Sequence, residues 1–179
     1  MACDNQLNLY STYRSHFPAL DDVLLTTEAN VHYTYADAEQ CSAQAANYLI
    51  GLGLKKGDRV SVQVEKSVQS LWLYLGAIRA GLVFHPLNPA YTQDEVRFFL
   101  EDAGSSILVC EADRAESLRA VCDSLGVAHL CTLDADGAGT LTQGAQKCST
   151  HFDTAATSGD DLAALVYSSG TTGRPKGIM

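Results

Sequence analysis

The chain has 179 residues, of which 46% are apolar and 18% are charged, and its formal net charge is −9. This length is enough for one compact domain with its own core, and the composition is ordinary for a globular protein. The negative charge and the lack of a basic cluster argue against nucleic-acid binding.

The first residues do not have the pattern of a secretory signal, because Asp4 and several amide side chains interrupt any apolar stretch. The longest uncharged apolar stretch, Ser67–Ile78, is too short to cross a bilayer. We therefore expect a cytoplasmic protein without a membrane span.

The six cysteines have neither C-x-x-C nor metal-ligand spacing. They predict reduced structural thiols, of which Cys41, Cys110 and Cys122 fall within apolar patterns.

Helical and extended patterns alternate along the chain, which predicts an α/β fold: a largely parallel sheet layered with helices. The predicted elements, in chain order, are a helix at Tyr35–Gly53, a strand at Arg59–Val64, a helix at Ser67–Ala80, a short proline-interrupted strand within Val83–Tyr91, a helix from Thr92 to Gly104, a strand at Ser106–Cys110, a helix at Ala112–Leu125, and strands at Val127–Leu133 and Leu162–Ser169. Residues 134–160 are predicted to be a long loop within one domain, with a domain boundary there as the alternative.

Three local patterns carry these predictions. Thr92 with Glu95 three residues later is a capping box, and Gly104 is a helix stop. The strand at Ser106–Cys110 is continuously apolar, which predicts burial on both faces. The apolar faces expected for the first two helices are Ala38, Cys41, Ala45, Tyr48, Leu49 and Leu52 in one, and Leu71, Leu75 and Ile78 in the other.

The last strand runs into a loop whose residue types suit a polyphosphate. Glycines let the backbone approach closely, hydroxyls share the phosphate oxygens, and a lysine adds a positive charge. The candidate binding residues are Ser168, Ser169, Gly170, Thr171, Thr172, Gly173 and Lys176. The loop differs from the usual nucleoside-triphosphate motif, because Arg174 and Pro175 separate the second glycine from the lysine. On composition alone, a flexible linker and a phosphate-binding loop are equally supported.

A family resemblance decides between them. The sequence LVYSSGTTGRPK, Leu165–Lys176, resembles the AMP-binding signature of the adenylate-forming superfamily, which includes the acyl-CoA synthetases. Leu75–Cys110 resembles a core block of the same family, and YTYADAEQ with the later LGLKKGDRV resembles its N-terminal block. The similarity extends from about Tyr33 to Met179. Glu65-Lys66-Ser67 followed by LYL and PLNxAYT most resembles malonyl-CoA synthetases, whereas His85 departs from their more usual apolar residue. His85 is interpreted as a partly buried packing or hydrogen-bonding residue.

The resemblance implies an enzyme that uses ATP, Mg²⁺ and coenzyme A to convert a small carboxylic acid, with malonate favoured, into its thioester. It implies that the candidate loop residues wrap the β- and γ-phosphates. It also implies that residues 1–179 are the N-terminal portion of an adenylation domain, without catalytic residues of their own and without the family's C-terminal domain. We therefore expect the isolated chain to be inactive. The alternatives are a ligase for another short or medium-chain acid, a truncated noncatalytic nucleotide-binding or interaction module, and a plain α/β domain with a glycine-rich tail.

Overall fold

A computed structural model describes residues 7–168 and 176–178 of the chain. The α-helices are α1 (Leu9–Ser15), α2 (Tyr35–Gly51), α3 (Val68–Arg79), α4 (Gln93–Ala103), α5 (Ala115–Leu125) and α6 (Thr140–Ala145). The strands are β1 (Val23–Thr26), β2 (His32–Thr34), β3 (Arg59–Gln63), β4 (Val83–Pro86), β5 (Ile107–Cys110), β6 (His129–Thr132), β7 (Val166–Ser168) and β8 (Lys176–Ile178). This arrangement confirms the predicted α/β fold.

The central sheet is parallel, with strand order β4-β3-β5-β6. Ser61 in β3 lies opposite His85 in β4 and Leu108 in β5, so the registers align the carboxyl ends of these strands at one edge. At the β4 side, Ala164 forms one parallel bridge to Phe84. The chain therefore runs past β4 towards the same carboxyl edge before it enters β7.

Successive residues of the strands point to opposite faces of the sheet, and helices cover both faces. One core lies under α2 and α3 and contains Val60, Val62, Ile107 and Val109 from the strands. The second core lies under α4 and α5 and contains Leu108 and Cys110. All side chains of β5 are fully buried, which confirms the prediction for this strand.

The helix ends follow from local sequence. Thr92 accepts from the backbone N–H of Glu95 and the Glu95 carboxylate accepts from the N–H of Thr92, so the predicted capping box is present. Gly104 ends the same helix at φ +59°, in the left-handed region that glycine tolerates. Thr34 and Ser67 cap α2 and α3 in the same manner, with Asp37 and Ser70 as reciprocal partners.

The structure corrects several finer predictions. The buried face of α2 includes Ser42, Ala43 and Ala46, while Cys41 is only half-buried. Helix α3 is buried on more than one stripe, because Trp72, Leu73 and Ala77 face two different cores while Leu71 is only half-buried. Sequence periodicity places such residues on a helix but does not reveal that the helix is covered from two sides.

Two connections also differ from their predictions. The segment 134–160 contains the helix α6, whose Leu141 is buried against the first core. The described part of the predicted last strand, Leu162–Ser169, joins the parallel sheet through the bridge at Ala164 alone. Its residues Val166–Ser168 form β7, which pairs antiparallel with β8. Segments before Tyr35 for which no element was predicted form α1 and the β1–β2 hairpin. Among the described residues, no helix combines the length and apolarity needed to cross a membrane.

Candidate functional site

The two ends of the predicted phosphate motif meet in the structure. Strands β7 and β8 form an antiparallel pair in which Ser168 lies opposite Lys176. Ser168 is exposed at the end of β7. The other candidate binding residues (Ser169, Gly170, Thr171, Thr172 and Gly173) and the side chain of Lys176 lie outside the described part of the chain. Their role in binding phosphate therefore stays a prediction.

A cavity of about 690 Å³ opens at the carboxyl edge of the sheet, where β3 and β4 end and α3 begins. Its walls combine apolar side chains such as Tyr74 and Phe84 with the polar Lys66, Ser70 and Asn88. Ligand sites of α/β proteins form outside the carboxyl ends of parallel strands, and a volume of this size is in the range of small-molecule sites. The cavity and the strand that approaches β7 thus share the edge at which this fold binds ligands.

A buried glutamine fixes one wall of this cavity. Gln63, at the end of β3, is 1% exposed. Its side-chain amide lies within hydrogen-bond distance of the carbonyl oxygens of Asn88 (3.1 Å), Pro89 (3.3 Å) and Tyr91 (3.0 Å). Arg114 also donates to the carbonyl of Pro89, at 3.1 Å. The N–H groups of Ala90 and Tyr91 both bond to Asn88 and Pro89 has no N–H, so the amide of Gln63 supplies donors to the carbonyls of Pro89 and Tyr91, which these groups do not reach. The sequence analysis read Gln63 only as a strand residue.

His85 is one end of a buried polar chain on the α4 face of the sheet, and Ser61 is its centre. The Nδ1 of His85 lies 2.8 Å from the hydroxyl of Ser61, which lies 2.6 Å from the hydroxyl of Ser105. The ring is fully buried, and its Nε2 has no hydrogen-bond partner among the described residues. The hydrogen-bonding role predicted for His85 is confirmed, although the residue is more deeply buried than expected. Burial lowers the pKa of His85 to about 4, against the opposing effect of the Asp102 carboxylate, so the ring is neutral at pH 7.

Tyr167 links β7 to this face. Its ring centroid lies 5.4 Å from that of His85 and 4.9 Å from that of Phe99, and its hydroxyl donates to the carboxylate of Asp102 at 2.5 Å. Burial, with the nearby carboxylate of Asp102 as a further cause, raises the pKa of Tyr167. This contact is not predictable from the sequence, because 65 residues separate its two partners and neither lies in a pattern that predicts pairing.

The cysteines and acidic residues form no second site in the described part of the chain. Cys110, Cys122 and Cys131 are buried, and burial raises the pKa of each thiol. Cys41 is only half-buried, although it was expected to lie in the core. Within residues 7–168 and 176–178, no group of three or more potential ligands is placed to hold a metal ion.

The fold defines the class of this protein: a parallel α/β sheet layered with helices, with a cavity where strands β3 and β4 end. The chain belongs to the AMP-binding enzyme family, whose sequence pattern matches residues 12–179. The resemblance seen in the sequence is thereby confirmed at the level of the family.

Individual relatives cover most of this chain, but this chain covers only part of each of them. A long-chain-fatty-acid–CoA ligase of Mycobacterium tuberculosis is 33% identical over 84% of this chain and 30% of its own length. The 4-coumarate–CoA ligase 3 of Oryza sativa subsp. japonica is 36% identical over 87% of this chain and 28% of its own. The crystal structure of ATP-bound MatB from Rhodopseudomonas palustris superimposes with a TM-score of 0.92 at 40% identity, over 96% of this chain and 34% of that one. The chain thus spans about a third of the length of these three relatives.

Proposed function

We propose that this chain forms the first part of the adenylation domain of an ATP-dependent acid–thiol ligase. In the first step a carboxylate oxygen attacks the α-phosphorus of ATP, which forms acyl-AMP and releases pyrophosphate. In the second step the thiol of coenzyme A attacks the acyl carbon, which forms the thioester and releases AMP. The proposal is carried by one observation: the AMP-binding signature begins on a strand that runs to the carboxyl edge of a sheet closely similar to that of ATP-bound MatB.

Within this reaction, the role of the signature is to hold the departing pyrophosphate. Negative charge builds on the β- and γ-phosphates as the α-phosphorus is attacked, and donors fixed in advance stabilise that charge without reorganisation. Mg²⁺ would neutralise part of the same charge. The residues proposed to bind ATP are Ser168, Ser169, Gly170, Thr171, Thr172, Gly173 and Lys176.

We favour malonate as the acid. Support comes from the resemblance of the segment around Glu65-Lys66-Ser67 to malonyl-CoA synthetases and from the 40% identity to MatB, a malonyl-CoA synthetase. A ligase for another short or medium-chain acid is the alternative, because the named relatives include ligases of acids other than malonate. A second carboxylate on the substrate needs a cationic partner such as arginine, whereas a chain of methylene groups needs an apolar tunnel. A cytoplasmic location is consistent with this chemistry and with reduced cysteines.

The complete active site requires more chain than residues 1–179. The chain spans about a third of its relatives, and a site assembled from several elements is what gives orientation and rate. We therefore expect the 179-residue chain to show no turnover by itself. Activity has to be measured on the complete enzyme.

The test is the double substitution Thr171→Ala and Thr172→Ala, assayed by carboxylate-dependent exchange of pyrophosphate into ATP. Loss of two donors to the developing charge should lower the exchange rate by about two orders of magnitude or more. The matched control is Thr26→Ala with Thr27→Ala, an adjacent threonine pair whose hydroxyls bond within the β1–β2 hairpin. Unchanged exchange in the Thr171/Thr172 variant, or an equal loss in the control, would refute the assignment of the loop.

A further inference from the structure

Strand β7, which lies within the signature, has a single side chain that reaches the helical layer. In β7 the side chains of Val166 and Ser168 are exposed, and only Tyr167 is half-buried. Tyr167 packs against the core beneath α4 and α5. The backbone contacts that hold this segment to the sheet occur earlier, where Phe84 exchanges hydrogen bonds with the backbone of Ala163 and Leu165. Tyr167 is therefore the last described anchor before the signature loop begins.

The anchor has a packing part and a polar part. The ring meets Phe99 at 66° and a centroid distance of 4.9 Å, and it tilts against His85 at 5.4 Å. These contacts fix the plane of the ring. The hydroxyl then donates at 2.5 Å to Asp102, one residue before the end of α4. A hydrogen bond to a carboxylate is among the stronger ones, and this carboxylate is held by a helix rather than by a loop.

We propose that Asp102 and Tyr167 are a positioning pair that fixes β7 against α4 and thereby aligns the signature for the polyphosphate of ATP. This inference rests on the proposed function. Neither residue is among those proposed to bind ATP. The pair acts because Ser168 follows Tyr167 directly and lies opposite Lys176, so a shift of β7 moves both ends of the loop together. Donors that are 1 Å out of place lose much of their effect on bound charge.

The test uses Tyr167→Phe, which keeps the ring contacts and removes only the hydroxyl. In the complete enzyme we expect the KM for ATP to rise about threefold to tenfold, since the bond is to a carboxylate but is exposed to water. We expect the KM for the carboxylate to stay unchanged and the melting temperature to fall by no more than about 2–4 °C. The matched control is Tyr48→Phe, because the Tyr48 hydroxyl lies 3.6 Å from the sulfur of Cys131 in the core on the opposite face of the sheet.

A double-mutant cycle identifies the partner. Asp102→Ala should raise the KM for ATP as Tyr167→Phe does, and the two changes together should cost no more than either one, because they remove the same bond. Asp102→Asn keeps an acceptor oxygen and should restore part of the affinity. Additive effects in the double variant, an equal rise of both KM values, or an unchanged KM for ATP in Tyr167→Phe would overturn the inference.

Failure of the inference is distinguishable from failure of the proposed function. If the unsubstituted complete enzyme exchanges no pyrophosphate with any carboxylate, the proposed function falls and the pair is tested without activity. Amide hydrogen exchange of β7 and β8 in the present chain then tests whether Tyr167 positions β7. Faster exchange at 166–168 and 176–178 in Tyr167→Phe than in Tyr48→Phe supports the positioning pair. Equal exchange in the two variants overturns it.

Discussion

Replacing His85 tests the buried polar chain through the pH dependence of stability. The neutral ring is bonded to Ser61 through one nitrogen only, and a protonated ring would bury a charge whose second N–H has no partner among the described residues. The Asp102 carboxylate is the charged group that opposes this effect. We therefore expect the folded chain to resist protonation of His85 while the unfolded chain accepts a proton in the ordinary range.

The magnitude follows from the displacement of the pKa. Burial lowers the pKa of His85 from 6.5 to about 4, and each unit of pKa corresponds to about 1.4 kcal/mol. The free energy of unfolding is therefore about 3 kcal/mol higher when His85 is neutral in both states, as it is above pH 7, than when it is protonated in both. This stability is lost as the pH falls, because the unfolded state binds a proton first. About 2 kcal/mol of it should disappear between pH 7 and pH 5.

The assay is urea unfolding of the chain, followed by the fluorescence of Trp72, its single tryptophan, which is 6% exposed. For a slope of about 2 kcal/mol per M, the midpoint should fall by about 1 M between pH 7 and pH 5. His85→Leu, of similar volume, should remove this loss. Carboxylates titrate in both chains, so their effect cancels when the midpoint shift of one chain is subtracted from that of the other. His151→Gln, at an exposed position, is the control and should behave as the unsubstituted chain. The same pH dependence in His85→Leu would refute the reasoning.

The remaining predictions concern packing, thiol reactivity and nucleotide affinity. Gly76→Ala should destabilise the fold by about 1–3 kcal/mol in urea unfolding, because the added Cβ would lie 2.6 Å from that of Ala45; Gly51→Ala, with nothing within 4 Å, should have no such cost. Burial raises the pKa of Cys110 to about 12, so its thiol should resist iodoacetamide at pH 8 until urea unfolds the chain. Modification of Cys110 in the folded chain would contradict its placement in the core. Lys176→Ala in the complete enzyme should raise the KM for ATP, and an unchanged KM would make Lys176 a surface residue.

Elements that follow from local sequence are predictable here. The Thr92–Glu95 capping box, the stop at Gly104 and the apolar run of β5 each depend on a few adjacent residues, and the structure confirms all three. The family is predictable for the same reason, because the signature Leu165–Lys176 is a contiguous segment that begins at the end of an apolar strand.

Contacts between distant residues account for what was missed. Helix α1 has little pattern of its own, and its Tyr10 is buried because Arg79 from α3 lies over the ring at 4.6 Å. The bond between Tyr167 and Asp102 and the donors of Gln63 to the Asn88–Tyr91 loop likewise join separate elements. Local propensity carries no information about such partners. The residues that hold the site in place can therefore be identified only from the three-dimensional structure.

The most direct test of the central claim is carboxylate-dependent exchange of pyrophosphate into ATP by the complete enzyme, measured with malonate, a medium-chain fatty acid and 4-coumarate in turn. The account predicts exchange that requires both ATP and an acid, with malonate the best substrate, and formation of the corresponding thioester when coenzyme A is added. Exchange with another acid alone would keep the ligase and change its substrate. No exchange with any carboxylate would contradict the account.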